Sequence, residues 1–211
     1  MRKNKGLFIT FEGGEGSGKS SLIDSLEKYF LNLKLKIVKT REPGGTILSE
    51  KIRDLVLHFF DQKNVSPYSE LALYLASRSQ HVQDVIIPSI EADKIILCDR
   101  FNDSSIAYQG YARGLGMDKV KEICSFFSQN VSPDLTFYLD LSPEVGFKRM
   151  KSADIENDRI EAEGQKFHEK VRDAYKILAK NDPNRLHIID ATKSKEEVFE
   201  KSIKIIEDFL S

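Results

Sequence analysis

Short apolar runs alternate with amphipathic segments along the whole chain. The apolar runs are typical of strands buried on both faces of a parallel sheet, and they occupy residues 7–11, 35–38, 95–98, 135–141 and 186–190. Between them, apolar positions recur at three- and four-residue spacing, which predicts helices. This alternation predicts an α/β fold in which a five-stranded parallel sheet is flanked by helices.

Several predicted helices have a recognisable start or end. Thr46 precedes an apolar stripe, and its hydroxyl predicts an N-cap. Ser66 followed by Pro67 predicts the start of the next helix, which we expect to end at Pro88 because proline disrupts a helix interior. Residues 101–116 predict a short helical start followed by a glycine-rich loop.

A glycine-rich loop joins the first predicted strand to the first predicted helix. Residues 13–20 match the pattern G-x-x-x-x-G-K-[ST] at every fixed position. Glycines let backbone N–H groups approach phosphate oxygens, and the helix directs its positive dipole end at the same place. Lys19 supplies a mobile charge for the β- and γ-phosphates, and the Ser20 hydroxyl suits Mg²⁺. The predicted ATP-binding residues are Gly13, Gly14, Glu15, Gly16, Ser17, Gly18, Lys19 and Ser20.

The predicted strand at residues 95–98 is followed by an acidic residue, Asp99, and a basic residue, Arg100. Ligands of open α/β sheets bind at the carboxyl ends of strands, so Asp99 is the predicted second contact to magnesium. Arg100 would then lie beside the transferring phosphates. A surface ion pair between these two neighbours is the alternative.

Two further arginines have competing interpretations. Arg53 lies among apolar residues of a predicted helix, where a surface salt bridge is as plausible as a role in a site. Arg78 shares a helix face with Tyr74, and a guanidinium beside a ring could bind a planar polar group. The pattern slightly favours the alternative in which the stem of Arg78 packs on the core and its charge reaches solvent.

Composition narrows the class of protein. A chain of 211 residues with a net charge of −1 suits one domain, residues 1–211, and does not predict a partner nucleic acid or membrane surface. No apolar stretch approaches the length of a membrane span, and Cys98 and Cys124 are far apart, so we expect a reduced, cytoplasmic location. The four histidines show no metal-ligand spacing.

The phosphate loop, the strand-end acid and the arginines together predict phosphoryl transfer. A GTPase switch is disfavoured because no N-K-x-D stretch occurs and no D-x-x-G follows a strand. An ABC-type ATPase is disfavoured by chain length and by the lack of an L-S-G-G-Q stretch. The remaining class is a small kinase that transfers a phosphoryl group to a small acceptor molecule.

Several motifs occur in an order that resembles bacterial thymidylate kinases. They are the loop at residues 11–20, R-E-P-G-G at 41–45, D-R-F-N-D-S-S-I-A-Y-Q-G at 99–110 and D-R-I-E at 158–161. The second and third are much more specific than the phosphate loop. The resemblance covers nearly the whole chain and implies a P-loop kinase fold with a short mobile lid at about residues 149–163. It also implies a homodimer that transfers the γ-phosphoryl group of MgATP to dTMP, giving ADP and dTDP.

The resemblance implies roles for individual residues. Lys19 would hold the ATP phosphates, with Mg²⁺ on Ser20 and Asp99. The residues implied to bind dTMP are Glu15 at the sugar 3′-hydroxyl, Arg53 and Arg100 at the phosphate, Arg78, Ser105 and Gln109 at the thymine edge, Tyr74 where the family usually stacks Phe, and Tyr108 against the deoxyribose.

The source of the catalytic arginine varies within this family. Some members carry it inside the phosphate loop, where this chain has Gly16, so we expect it in the lid, with Arg149 weakly favoured over Arg159. The implied catalytic residues are Lys19, Arg100, Arg149 and Arg159.

Two rival functions stay open at this point. A deoxynucleoside kinase or another small-molecule P-loop kinase would need a carboxylate base near the acceptor hydroxyl. A non-catalytic nucleotide-binding regulator would bind ATP without turnover, and the intact phosphate loop and strand-end acid disfavour it.

Overall fold

The computed structural model describes residues 6–59, 65–152, 159–160 and 163–211, and the elements named here lie within them. The strands are β1 (Leu7–Glu12), β2 (Ile37–Arg41), β3 (Ile95–Asp99), β4 (Leu135–Asp140) and β5 (Leu186–Asp190). The α-helices are α1 (Lys19–Asn32), α2 (Ile47–Asp54), α3 (Pro67–His81), α4 (Ile87–Glu91), α5 (Asn102–Ser105), α6 (Met117–Phe127), α7 (Pro143–Ser152), α8 (Gln165–Asn181) and α9 (Lys195–Leu210). π-Helical turns follow α2, α3 and α5 at Leu55–Phe59, Val82–Ile86 and Ile106–Ala112.

The strands form one parallel sheet in the order β2-β3-β1-β4-β5, which confirms the predicted fold class. β1 is central, with Ile9 opposite Leu97 of β3 on one side and Leu135 of β4 on the other. The chain passes from β3 on one side of β1 to β4 on the other. The loop after β1 leads toward β2, whereas the loop after the adjacent β3 leads in the opposite direction toward β4, so these two loops diverge, as they do where open α/β sheets bind ligands.

The two faces of the sheet have separate cores. The pleat of β1 sends Leu7, Ile9 and Phe11 toward α1 and α9, where they pack into a buried apolar cluster. Phe8 points to the opposite face and packs with the helical segment that includes Val82. On that opposite face a larger cluster joins α3, α6 and α8. Burial on both faces explains why the central strands have continuous apolar sequences.

Both predicted helix caps are confirmed. The Thr46 hydroxyl accepts a hydrogen bond from the Ser49 backbone N–H at 3.1 Å, and the Ser66 hydroxyl accepts one from the Ser69 N–H at 3.1 Å. Each bond satisfies a backbone donor that the first turn of a helix leaves unpaired. Among the described residues, no helix combines the length and apolarity needed to cross a lipid bilayer.

The prediction that the third helix ends at Pro88 is wrong. The helical path continues through the π-helical turn Val82–Ile86 and into α4, which ends at Glu91. Pro88 lies in the first turn of α4, where a missing N–H breaks no intrahelical hydrogen bond. The wider turn restarts the helix, so proline is tolerated within a continuous helical path.

Two other boundaries also differ from the predictions. β2 begins at Ile37 and extends to Arg41, later than the predicted 35–38. It is an edge strand with half-exposed and exposed side chains, so its polar end carries no apolar signal. The glycine-rich loop expected within residues 101–116 begins only after the π-helical turn Ile106–Ala112.

Candidate active site

The phosphate loop lies at the carboxyl end of β1 and leads directly into α1. Lys19 is buried, and its Nζ donates hydrogen bonds to the carbonyls of Gly13 at 3.1 Å and Gly14 at 3.0 Å. Gly16 and Gly18 have φ values of +69° and +91°, which glycine adopts without steric cost. These contacts hold the lysine against the loop backbone, beside the N-terminus of α1.

A cleft of about 1530 Å³ opens over the phosphate loop, and we call it the donor cleft. Residues 15–20 line one side of this cleft, and Arg149 of α7 lines another side. The β5–α9 connection contributes Ala191 and Lys193. All but two of the predicted ATP-binding residues therefore border one cleft; the exceptions are Gly13 and Gly14, whose carbonyls hold Lys19.

A second cavity of about 820 Å³ adjoins the donor cleft, and we call it the acceptor cavity. Its lining includes every residue that the sequence implied for the acceptor, namely Glu15, Arg53, Tyr74, Arg78, Arg100, Ser105, Tyr108 and Gln109. Glu15, Lys19 and Asp99 border both spaces. A group held in one cavity therefore lies next to a group held in the other.

Arg100 faces the junction of the two cavities. Its guanidinium pairs with Glu15, donates to Ser104 Oγ at 3.3 Å and Tyr108 Oη at 3.4 Å, and lies over the Tyr108 ring. The predicted alternative, a surface ion pair with the neighbouring Asp99, is not what forms. The backbone of Arg100 has a φ of +69°, a left-handed conformation that costs a non-glycine residue about 1 kcal/mol.

Glu15 carries its negative charge between two cations. Burial would raise the pKa of this carboxyl, but the charges of Lys19 and Arg100 outweigh it and lower the pKa to about 2. Glu15 is therefore an ionised hydrogen-bond acceptor at neutral pH, and it lines the acceptor cavity.

Asp99 and Ser20 suit a divalent cation. Asp99 ends β3, and its buried Oδ1 has no hydrogen-bond partner among the residues that the structure describes. Ser20 lies in the first turn of α1 and lines the donor cleft together with Asp99. A carboxylate oxygen without a donor, across from a hydroxyl, matches the oxygen ligands that Mg²⁺ prefers.

Arg78 is buried together with its charge, so the interpretation that its guanidinium reaches solvent is wrong. The side chain is 2% exposed, and its Nε donates to Glu42 Oε2 at 2.7 Å. Its Nη1 donates to Ser105 Oγ and its Nη2 to the Phe101 carbonyl, both at 3.0 Å. His81 holds the other oxygen of Glu42 at 2.9 Å. This network fixes the guanidinium at the wall of the acceptor cavity.

Arg53 takes part in the site and forms no surface salt bridge with the described residues. Its Nη1 donates to the Pro43 carbonyl at 3.0 Å, and the half-buried side chain lines the acceptor cavity. The R-E-P-G-G turn that contains Pro43 thus positions a cation contributed by α2.

Glu12 supports the site from below and was missed by the sequence predictions. This fully buried carboxylate accepts hydrogen bonds from the Phe101 N–H at 2.8 Å, Ser104 Oγ at 2.6 Å and Tyr175 Oη at 2.7 Å. Burial, with a smaller effect from Asp103, raises its pKa to about 7. The sequence signal that could have found Glu12 is an acidic residue at the end of the apolar run of the first predicted strand.

The structure brings Arg149, but not Arg159, to the phosphate loop. Arg149 donates to the carbonyls of Gly16 at 3.2 Å and Ala191 at 3.1 Å. Arg159 is buried elsewhere, where its Nη2 donates to Glu70 Oε2 at 2.6 Å. The predicted lid at residues 149–163 includes 153–158 and 161–162, which lie outside the described residues, as do Asp158 and Glu161 of the D-R-I-E motif.

α7 approaches the phosphate loop through two glycines. A Cβ added to Gly16 would lie 2.5 Å from the Gly146 carbonyl oxygen, and a Cβ on Gly146 would lie 2.4 Å from the Glu15 carbonyl oxygen. Arg149 follows Gly146 by three residues and so lies on the same helix face. The close backbone contact therefore places this arginine at the loop and leaves no room for a side chain at position 16.

The fold and the site define a class of protein. A phosphate loop on a central parallel strand, a strand-end acid and an adjoining cavity lined by arginines are the parts of a P-loop kinase that acts on a small anionic acceptor.

Comparison with known proteins identifies the family. The thymidylate kinase family model matches residues 11–202. The thymidylate kinase of Protochlamydia amoebophila is 46% identical over 98% of this chain and 94% of its own length, and that of Thermosipho melanesiensis is 50% identical over 97% and 99%. A crystal structure of thymidylate kinase from Ehrlichia chaffeensis superposes with a TM-score of 0.77 at 33% identity, covering 96% of this chain and 99% of that one. This chain belongs to the thymidylate kinase family.

Proposed function

We propose that this chain transfers the γ-phosphoryl group of ATP to dTMP, giving ADP and dTDP. The observation that carries the proposal is the acceptor cavity, because every residue that the sequence motifs implied for dTMP lines it. The cavity adjoins the donor cleft at Glu15, Lys19 and Asp99, as in-line transfer between two bound nucleotides requires.

The chemistry requires charge neutralisation more than proton transfer. The acceptor phosphate has a second pKa of about 6, so it is mostly dianionic at neutral pH and needs no general base. Two anions must nevertheless meet. Arg53 and Arg100 neutralise the acceptor side, while Lys19 and Arg149 neutralise the donor side and the charge that develops during transfer.

Asp99 and Ser20 would hold the Mg²⁺ that accompanies ATP. The unpartnered Oδ1 of Asp99 supports this assignment. The bound ion would add positive charge at the phosphates, beyond that of the arginines and Lys19.

The remaining residues of the cavity select the acceptor. Tyr74 provides a ring for stacking on the base, and Arg78, Ser105 and Gln109 face its polar edge. Tyr108 would pack against the deoxyribose, where a ribose 2′-hydroxyl would project, which favours a deoxyribonucleotide. Glu15 accepts from the 3′-hydroxyl while it pairs with Arg100.

We also infer a homodimer and a cytoplasmic location. α2 and α6 both pack against α3, and they expose Ile47 at 84%, Leu48 at 48% and Phe126 at 78%. Large apolar side chains at such exposure support a partner surface on this face. Cys98 and Cys124 are free, buried thiols, as expected in a reducing compartment.

A panel of monophosphates with MgATP, read by ADP release, tests the function. We expect turnover with dTMP well above turnover with ribonucleotides or with thymidine. Turnover with thymidine but not dTMP would support a deoxynucleoside kinase instead. ATP binding without turnover of any monophosphate would support the regulator.

A further inference from the structure

Glu70 lies beside the acceptor cavity at the centre of a buried cluster of charges. Its side chain is 1% exposed and belongs to the first turn of α3. Oε1 accepts from Gln109 Nε2 at 2.8 Å and from Arg113 Nε at 3.3 Å. Oε2 accepts from Arg113 Nη2 at 3.1 Å and from Arg159 Nη2 at 2.6 Å. In the sequence, Glu70 indicated only the start of a helix, and no role in the site was predicted for it.

The cluster keeps Glu70 ionised although it is buried. Burial would raise the pKa of its carboxyl, but hydrogen bonds from Gln109, Arg113 and Arg159 and the charge of Arg113 lower it below its usual value. Glu163 pairs with Arg113 at 2.6 Å, so two carboxylates balance two guanidiniums. An ionised carboxylate can only accept hydrogen bonds.

This property fixes the orientation of the Gln109 side chain. Gln109 is 2% exposed and lines the acceptor cavity. Because Glu70 only accepts, the amide NH₂ of Gln109 must face it, and the amide oxygen is left to face the other way. If the amide turned around, two acceptor oxygens would meet in a buried site and neither would have a donor, which is unfavourable.

We propose that Glu70 is a positioning residue that holds the Gln109 amide oxygen toward the acceptor cavity, so that the cavity selects pyrimidines with a proton on N3. Thymine carries an N3–H donor, whereas the N3 of cytosine is an acceptor. An oxygen held at this point binds the first and repels the second. The inference rests on the proposed function and names a selection step within it.

The first test replaces Glu70 by Gln and measures dissociation constants for dTMP and dCMP by titration calorimetry. A glutamine at position 70 donates or accepts, so Gln109 is free to turn. We expect the dTMP dissociation constant to rise about tenfold and the dCMP constant to fall, while ATP affinity stays within about twofold. The same preparations are assayed for dTDP formation. Wild-type protein that makes no dTDP would refute the function, a result distinct from failure of the positioning role.

Two further variants separate orientation from stability. Glu163→Gln removes a charge from the same cluster without touching Gln109, so it is the matched control and should keep the wild-type ratio of the two constants. The double variant Glu70→Gln with Gln109→Glu exchanges the donor and the acceptor of this pair. The carboxylate at position 109 again leaves an acceptor oxygen for the cavity. The double variant should therefore prefer dTMP over dCMP more strongly than the single variant does. If Glu70 had a purely structural role, its replacement would weaken the binding of dTMP and of dCMP by the same factor. An unchanged ratio of the dCMP and dTMP dissociation constants in folded Glu70→Gln protein would overturn the proposal.

Discussion

Tyr74 supplies an aromatic ring of the acceptor cavity, at the position where the sequence resemblance implied a stacking Phe. We expect Tyr74→Phe to retain kcat/KM for dTMP, because the stacking surface is unchanged. Steady-state kinetics with saturating ATP measures this. A loss of about tenfold or more, about 1.4 kcal/mol, would show that the hydroxyl is needed. Tyr74→Leu, which removes the ring, provides the contrast and should raise KM for dTMP.

Of the two arginines proposed for the lid, Arg149 is the one that reaches the phosphate loop, and its removal should mainly slow the chemical step. We expect Arg149→Ala to lower the single-turnover rate about 10²-fold, in line with the loss of one group that stabilises charge in the transition state. Lys148→Ala is the neighbouring control, since Lys148 is exposed and pairs only with Glu144 among the described residues.

Arg159→Ala should behave differently because Arg159 pairs with Glu70. It should weaken dTMP binding more than it slows transfer at saturation. If neither arginine variant loses about 2 kcal/mol of transition-state stabilisation, the assignment of the catalytic arginine to the lid is wrong.

Sequence motifs predicted which residues line the cavity but not what holds them there. Arg78 and Glu42 are separated by 36 positions, and Glu70 and Arg159 by 89. Periodicity along a chain reports the neighbours of a helix or strand and carries no information on such distant pairs. The charge of Arg78 was therefore placed in solvent, although Glu42 neutralises it in the interior.

The contact between α7 and the phosphate loop depends on Gly146. A methyl group there would lie 2.4 Å from the Glu15 carbonyl oxygen, so α7 or the loop must move. We expect Gly146→Ala to cost about 1–3 kcal/mol of folding free energy and to raise KM for ATP. Chemical denaturation and kinetics measure the two effects.

Gly164→Ala is the matched control for this substitution. An added Cβ at Gly164 meets no atom within 4 Å, and its φ of −65° suits any residue. Equal effects of the two substitutions would contradict the importance of the close approach.

Helices and strands were predictable where burial and caps left a pattern, and not elsewhere. Thr46 and Ser66 cap helices as their hydroxyls predicted. The end of the third helix was predicted from Pro88 alone, so the continuation of the helical path to Glu91 through the π-helical turn Val82–Ile86 was not predicted.

The buried carboxyl of Glu12 makes the stability of the whole fold depend on pH. Its pKa is about 7 in the folded protein against 4.5 in the unfolded chain, so the folded state holds the proton longer. This group's contribution to stability is greatest below pH 4.5 and falls by about 3 kcal/mol as the pH rises to 7.

We expect Glu12→Gln to remove this dependence. The free energy of unfolding of the wild-type protein should decline, relative to the variant, between about pH 5 and about pH 8. Urea denaturation of both proteins at about pH 5 and about pH 8 measures the change in the free energy of unfolding. Parallel pH profiles for the two proteins would contradict the assignment.

The exposed apolar side chains of α2 and α6 should decide the oligomeric state. We expect Phe126→Asp to convert a dimer to a monomer, because Phe126 is 78% exposed and a charge there opposes burial. Size-exclusion chromatography with light scattering gives the mass. Leu31→Asp is the control on α1, which packs on the other face of the sheet, and should leave the mass unchanged. A monomeric wild-type protein would refute the proposed assembly.

The architecture of the molecule followed from its alternating apolar and amphipathic segments. Each of the five predicted strand segments overlaps one of the five parallel strands, and the phosphate loop follows the central strand. The strand order was not predicted, because parallel strands of similar composition can exchange places without altering the pattern.

The paired glycines of the loop and α7 also constrain how descendants of this chain can change. Introducing arginine at Gly16 would drive its first carbon into the Gly146 carbonyl, so that substitution alone would damage the enzyme before bringing any benefit. Withdrawing α7 first would move Arg149 away and leave the intermediate without either arginine. Each single change is therefore expected to cost this chain activity, so the paired glycines favour keeping the arginine on α7.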